Sequence, residues 1–245
     1  MDQPVAVITG AGRGIGRAAA VELARLGYRM ALASRNPDDL KETIRLATGG
    51  ELPVTTHIFG AQALAVPTDV TRPHEVERLI GTAAGRLGRV DAVVHCAGLA
   101  PVRPIAEMTP EEWHAVIDTN LSAAFYLCRA AWPVFERQKA GVVVNLSSLA
   151  CRDPFPGFAA YGAAKAGLNL LGLSAAREGE KIGVRVHTLA LGAVETGMFR
   201  QVVAPDQWPA EKTLAPADVA AVIARCVTGE LRYTSGEVIY LHKTV

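Results

Sequence analysis

From residue 5 onward the chain alternates short β-branched runs with longer segments whose apolar residues recur at helical spacing. Strands read at Val5–Thr9, Arg29–Ser34, Ala63–Pro67, Ala92–Cys96, Val142–Ser147, Val184–Leu191 and Glu237–Leu241. Helical periodicity runs over Gly14–Leu26, Asp38–Ala47, about Arg72–Leu87, Pro110–Gln138, Tyr161–Glu180 and Pro216–Val227. Strands joined through helices pair in parallel, and a parallel sheet needs both faces covered. The expected fold is therefore α/β: a single doubly wound Rossmann-type domain over residues 1–245, its seven-stranded parallel sheet flanked by helices. No repeat, low-complexity tract or Gly/Ser linker divides the sequence.

Two stretches interrupt the rhythm. Thr48–Gly60 is longer than a helix-to-strand connection usually is, and Gly49, Gly50, Pro53 and Gly60 make it an expected exposed loop or small hairpin of unknown role. Gly192–Leu214 is rich in Pro and Gly and carries Met198, Phe199 and Trp208, the make-up of a lid over a site.

Composition narrows the function. Twenty-five Lys and Arg against 24 Asp and Glu leave a formal charge of +1, which gives no nucleic-acid or membrane footprint. Cys96, Cys128, Cys151 and Cys226 are far apart with no C-x-x-C pair, and the six histidines are scattered. That pattern reads as reduced thiols with no metal site. There is no basic-then-apolar leader, and no apolar run approaches the ~18 residues of a membrane span. A cytoplasmic protein is expected.

The segment Thr9-Gly10-Ala11-Gly12-Arg13-Gly14-Ile15-Gly16 turns from the first strand into the first helix. Glycines there let backbone approach a pyrophosphate, while the helix N-terminus offers N–H donors and positive dipole. A tight turn without a ligand is the plainer account of such a motif. Its place at the first strand of an alternating chain favours a dinucleotide. At the end of the second strand stand Ser34 and Arg35, where an acidic residue would select NAD by holding its ribose hydroxyl. A hydroxyl beside a guanidinium, with Arg13 as a second charge, suits a 2′-phosphate and hence NADP(H). Arg35 as an ordinary surface residue is the alternative.

Tyr161 and Lys165 are one helical turn apart, so they share a face. An ammonium there would pull the phenol toward a usable acid or base. Ser148 stands 13 residues before Tyr161, at the end of the fifth strand. Together, T-G-x-x-x-G-x-G and Ser…Tyr-x-x-x-Lys resemble the short-chain dehydrogenase/reductase family through almost the whole chain. Within it, the general pattern is most like 3-oxoacyl-(acyl carrier protein) reductase-like members.

The resemblance implies a catalytic set of Asn120, Ser148, Tyr161 and Lys165. Ser148 and not Ser147 would hold the substrate oxygen, and Asn120 would order a water near Lys165. Asn120 also reads simply as a core amide on the buried face of its helix. Asp69, with Val70 beside it, would contact adenine, or Asp69 caps the following turn. Ala97 and Gly98 would keep the cofactor side open, and Gly192, Val194 and Thr196 would meet the nicotinamide end. His95 and Cys96 depart from the family's paired asparagines, and Leu191 from its proline. His95 is expected as a core histidine, with sheet bonding altered and chemistry kept.

The implied function is NADP(H)-dependent hydride transfer between the nicotinamide and a carbonyl or secondary alcohol, possibly a 3-oxoacyl thioester. Alternatives are a sugar, steroid or other alcohol dehydrogenase, and a non-catalytic NADPH-binding sensor. Substrate choice would reside in Ala150–Phe158 and Gly192–Trp208, and the near-neutral charge around Met198, Phe199 and Trp208 favours an apolar substrate. A homo-oligomer, tetramer or dimer, is expected through the long helices and the last strand, with Gly236–Leu241 contributing.

Overall fold

The computed structural model describes residues 3–50 and 63–243. Most of the expected Thr48–Gly60 loop therefore lies outside the described residues; Gly49 and Gly50, within them, both have positive φ. Seven strands, β1 (Val5–Thr9), β2 (Arg29–Ser34), β3 (Ala63–Pro67), β4 (Ala92–His95), β5 (Gly141–Ser148), β6 (Val184–Leu191) and β7 (Val238–Leu241), form one parallel sheet in the order β3-β2-β1-β4-β5-β6-β7. The order reverses between β1 and β4, so the turns after these two strands diverge and open a crevice.

Strand alternation sends Ala6 and Ile8 to one face and Val5 and Val7 to the other. On the first face pack α1 (Gly14–Arg25), α2 (Pro37–Ala47) and α8 (Pro216–Thr228), through Leu23, Leu40, Ile44 and Ile223. On the second pack α3 (Pro73–Leu87), α5 (Ala123–Gln138) and α6 (Ala159–Gly179), through Leu79, Leu127, Phe135 and Ala175. The remaining helices are α4 (Pro110–Ile117) and the short α7 (Gly197–Arg200).

Four helices begin on a proline, Pro37, Pro73, Pro110 and Pro216, where a missing N–H costs nothing and φ is already helical. Asn36 caps α2 by accepting from Asp38 N–H at 2.9 Å. Thr109 and Glu112 form a reciprocal capping box at α4. The expected continuous helix over 110–138 is interrupted. Between α4 and α5 the backbone widens into a π turn, Asp118–Ser122, which holds Asn120. Turns of this kind recur where a helix must redirect a functional side chain.

A row of buried polar side chains crosses the sheet in register: Thr9 opposite His95, His95 opposite Asn145, Asn145 opposite Thr188. None is more than 2% exposed. His95 Nδ1 and Thr9 Oγ1 share a hydrogen bond at 2.9 Å, so the histidine ties β4 to β1 just below the crevice. Among the described residues no helix is long and apolar enough to cross a membrane, and no cluster of His, Cys, Asp and Glu could hold a metal ion.

Candidate active site

A cleft of about 1280 Å³ runs along the carboxyl ends of the strands. Gly10, Gly12, Arg13, Gly14, Ile15 and Gly16 form one wall, and Ser34, Arg35, Asp69 and Val70 the end beyond β2 and β3. Ala97, Gly98, Ser148, Tyr161 and Lys165 line the middle; Gly192, Val194 and Thr196 close the side beyond β6. Of the expected site residues, only Thr9 and Asn120 do not line it.

The glycine turn is shaped by what surrounds it. Gly10 has φ +63, and a Cβ there would stand 2.7 Å from the Ala97 backbone N, so the turns after β1 and β4 can cross only at a glycine. A Cβ at Gly16 would meet the Gly10 carbonyl oxygen at 2.3 Å, which makes α1 start hard against the turn. Arg13 precedes α1 in extended backbone and gives no side-chain cap, leaving the helix's first N–H groups for another acceptor. Thr9 is fully buried beneath this turn: its hydroxyl pairs with His95 and accepts the Ala97 N–H at 3.4 Å. It holds the turn in place and does not line the cleft.

Two residues outside the expected set brace the same turn. Arg17 Nη2 donates to the Gly12 carbonyl and Arg17 Nε to Thr43 Oγ1 at 3.0 Å; Thr43 Oγ1 donates to the Ala11 carbonyl at 2.9 Å. Thr43 stands between Leu40 and Ile44 on the buried face of α2, and that polar residue in an apolar stripe was the available sequence signal.

At the far end Arg35 and Arg13 are exposed and line the cleft. Asp39 lies there too: a Cβ on Gly12 would stand 2.8 Å from Asp39 Cβ. Asp69 accepts from the Thr71 N–H at 3.0 Å and hydroxyl at 2.8 Å, the capping account, while still facing the cleft. Burial works against its charge, but these hydrogen bonds and the nearby Arg72 and Arg35 hold the carboxyl below its ordinary value.

Ser148 ends β5 and Tyr161 and Lys165 project from α6. The helix comes close because Gly162 carries no Cβ, which would otherwise lie 2.8 Å from the Ala150 carbonyl oxygen. The Ser148 hydroxyl lies close enough to the Tyr161 phenol to favour its ionised form. Lys165 is 3% exposed and donates from Nζ to the Leu146 carbonyl at 2.7 Å, with Nζ 5.5 Å from the Tyr161 ring centre. Burial lowers its pKa from 10.5 to about 8. Burial raises the Tyr161 phenol above its ordinary value, and Ser148 only partly opposes this. Burial outweighs any pull of Lys165 on Tyr161, so the phenol remains protonated at neutral pH, and the ammonium is bonded to backbone.

Asn120 is fully buried behind Gly98. Its Nδ2 donates to the carbonyls of Leu99 (2.7 Å) and Val116 (2.9 Å), and its Oδ1 accepts the Leu99 N–H at 3.3 Å. Both amide protons are used, so the side chain pins the 98–99 turn to the π turn, which is the core-amide account. Ser147 Oγ donates to the Lys165 carbonyl at 3.3 Å, and the residue also lines the cleft. Desolvation, reinforced by the Lys165 charge, lowers His95 to about 3 and keeps it neutral; burial pushes the Cys96 thiol up to about 12. Thr196 accepts the Phe199 N–H at 3.2 Å, and its methyl would be 3.4 Å from a Cβ on Gly14. The loop after β6 and the glycine turn therefore meet across the cleft.

The pattern that defines the family described as short chain dehydrogenase matches residues 4–207. The chain is 30% identical over 243 residues to a 3-oxoacyl-(acyl-carrier-protein) reductase FabG of Staphylococcus epidermidis, covering 97% of this chain and 96% of that one. It is 31% identical over 224 residues to an uncharacterized oxidoreductase of Staphylococcus aureus, covering 91% and 90%. Among solved structures, levodione reductase superposes with a TM-score of 0.88 at 24% identity, covering 98% and 96%, and shares the fold.

The buried ammonium sets a pH signature. Below about pH 8 Lys165 is charged in both folded and unfolded chains, so its desolvation penalty, on the order of 3 kcal/mol, is fully present. Between about 8 and 10.5 the folded state has lost the proton and the unfolded state has not, so stability rises with pH. Urea unfolding of wild type and Lys165→Met across this window should show their difference moving toward wild type by that amount. A difference flat in pH would contradict the burial argument.

Proposed function

The chain belongs to the short-chain dehydrogenase family and is an oxidoreductase of carbonyl and CH–OH groups, and from that premise we propose that it is an NADP(H)-dependent carbonyl reductase. The observation that carries the reading is the continuity of one cleft from the Arg13–Arg35 end, past the uncapped start of α1, to the Ser148–Tyr161–Lys165 cluster.

The residues present fit a dinucleotide. Its volume exceeds the ~300–1,000 Å³ of ordinary ligand pockets. The cradle at Gly10 and Gly16 has no room for a side chain, and the first N–H groups of α1 are free to meet a pyrophosphate. When bound, the nicotinamide supplies or accepts the hydride. Gly10, Gly12, Gly14, Ile15 and Gly16 would hold its diphosphate, Asp69 and Val70 its adenine, and Ala97, Gly98, Gly192, Val194 and Thr196 its nicotinamide half. Arg13 and Arg35, with Ser34, would receive the 2′-phosphate. Asp39 beside Gly12 favours a second reading, NAD(H), because a carboxylate can accept from free ribose hydroxyls.

Tyr161 and Ser148 would hold the substrate oxygen between two hydroxyls. Tyr161, protonated at neutral pH, donates its proton to that oxygen as negative charge develops, and Ser148 stabilises the same oxygen by hydrogen bonding. Lys165 places a positive charge under the Tyr161 ring, favouring the phenolate that remains. Asn120 acts as a positioning residue, fixing the turn that carries Gly98. The 3-oxoacyl thioester named in the Staphylococcus epidermidis relative is the first substrate class to try.

All four cysteines are free thiols, which suits a reducing compartment, and we place the protein in the cytoplasm. Trp113, Phe125 and Leu170 on α4, α5 and α6 are exposed apolar residues that support a homo-oligomer through these helices.

Tyr161→Phe should lower kcat for NADPH-dependent reduction of an acetoacetyl thioester by ~10²–10⁴-fold, followed at the NADPH absorbance band. Near-normal turnover would remove Tyr161 from the chemistry. Arg35→Ala should weaken NADPH by about 1.5–3 kcal/mol, tenfold or more, and leave NADH almost unchanged, measured by calorimetry. Equal weakening of both would point to NAD(H). Light scattering at working concentration should give a dimer or tetramer, and a monomer would overturn the assembly.

A further inference from the structure

The cleft does not end at Tyr161. Beyond Ser148 its wall is built by the segment after β5, the loop after β6 and the residues after β7. The lining there combines the apolar Phe155, Met198, Phe199 and Trp208 with the exposed cations Arg152, Lys212 and Lys243. Local contacts engage each of the three cations. Arg152 lies over the Tyr240 ring of β7 at 4.9 Å. Two residues past the end of β7, Lys243 Nζ donates to the Glu211 carbonyl at 2.8 Å. Lys212 follows directly, with Nζ 5.9 Å from the Trp208 ring centre, while Trp208 Nε1 donates to the Lys212 carbonyl at 3.3 Å. Rings and a carbonyl engage these charges, and no carboxylate pairs with them among the described residues. Asp153 is the one carboxylate that this part of the wall adds.

Position separates this cluster from the cofactor's phosphates. Arg35 stands at β2 and the cluster at β7, five strand spacings apart, or ~24 Å at ~4.8 Å per spacing. Ser148 ends β5, only two spacings from β7, which is ~10 Å. By strand order the cluster is on the Ser148 side of the cleft, away from the Arg35 end.

Resting on the reductase reading above, we propose that Arg152, Lys212 and Lys243 select a carbonyl substrate bearing an acidic group, linked to the reacting carbon by an apolar spacer. The wall carries the matching groups: hydroxyls at Ser148 and Tyr161, apolar side chains, and cations. This adds an acidic end to the apolar substrate favoured by the near-neutral charge around Met198, Phe199 and Trp208. Exposed cations exchange partners with water cheaply, so they contribute chiefly to selection and capture. The anion is either the substrate's own carboxylate or the phosphate of a thioester carrier arm, and the two share the same recognition chemistry.

The test compares kcat/KM with saturating NADPH for two matched sets. One set holds oxo acids with carbonyl and carboxylate ~2–8 carbons apart, each against its methyl ester. The other holds acetoacetyl-coenzyme A against the phosphate-free acetoacetyl-N-acetylcysteamine. The expected result is a preference of about tenfold or more for the charged member of one set. It should shrink with added salt and collapse toward one in R152Q/K212Q/K243Q. Preference in the first set identifies a carboxylate, and preference in the second a carrier phosphate. Equal rates for charged and neutral members, or a preference that survives the triple substitution, overturn the proposal and leave the reductase reading intact. If no compound in either set is turned over while calorimetry shows NADPH bound, the reductase reading falls and this inference falls with it.

Discussion

The site depends on one close approach, where the turn after β1 passes within van der Waals contact of the turn after β4. No side chain fits between Gly10 and the Ala97 backbone, and the sheet below is stitched at this point by Thr9 and His95. Because strand order reverses here, the two turns lean apart above the contact. The crevice they leave is continuous with the cleft that runs from Arg35 to Tyr161. A bulkier contact would spread β1 from β4 and pull the glycine turn out of line with α1.

Around that contact the molecule spends polar groups on rigidity. Arg17 and Thr43 brace the glycine turn from behind, and Asn120 pins the turn after β4 from the other side. Neither Thr43 nor Asn120 is exposed to the cleft, yet each fixes a backbone segment that is. The π turn serves the same end, since one widened helical turn is what aims Asn120 at Leu99 and Val116 at once. A site built from backbone donors and glycines has few side chains with which to adjust, so its backbone must be held by the layer beneath.

Much of this was legible in the chain because its signals are local. Period-2 and period-3.6 patterns locate the strands and helices, and residues at strand ends must face the crevice in any doubly wound sheet. That reasoning assigns Gly12, Arg35, Asp69, Gly98, Ser148 and Gly192 to one edge, where they all lie. What escaped is set by contacts distant in sequence. Thr9 belongs to the glycine motif but turns under it toward His95, 86 residues away. Arg17 and Thr43 meet across 26 residues. The break at Asp118–Ser122 follows from Asn120 reaching the turn at Leu99, which helical periodicity cannot register. The cationic lining of Arg152, Lys212 and Lys243 is invisible as a cluster until β7 lies beside β6.

Electrostatics at Tyr161 and Lys165 follow from the same burial. Desolvation opposes charge on both groups, so it moves their proton affinities apart from what an exposed pair one turn apart would show. The phenol keeps its proton at neutral pH, whereas the ammonium, lowered to about 8, is near the edge of losing one. The Leu146 carbonyl satisfies Lys165 without neutralising it, leaving its field available to a phenolate forming 5.5 Å away at ring-centre distance. A tyrosine that rests protonated has a proton to donate, which the proposed carbonyl reduction requires. The arrangement is therefore destabilising for the fold, which must bury a cation, and useful to chemistry for that reason.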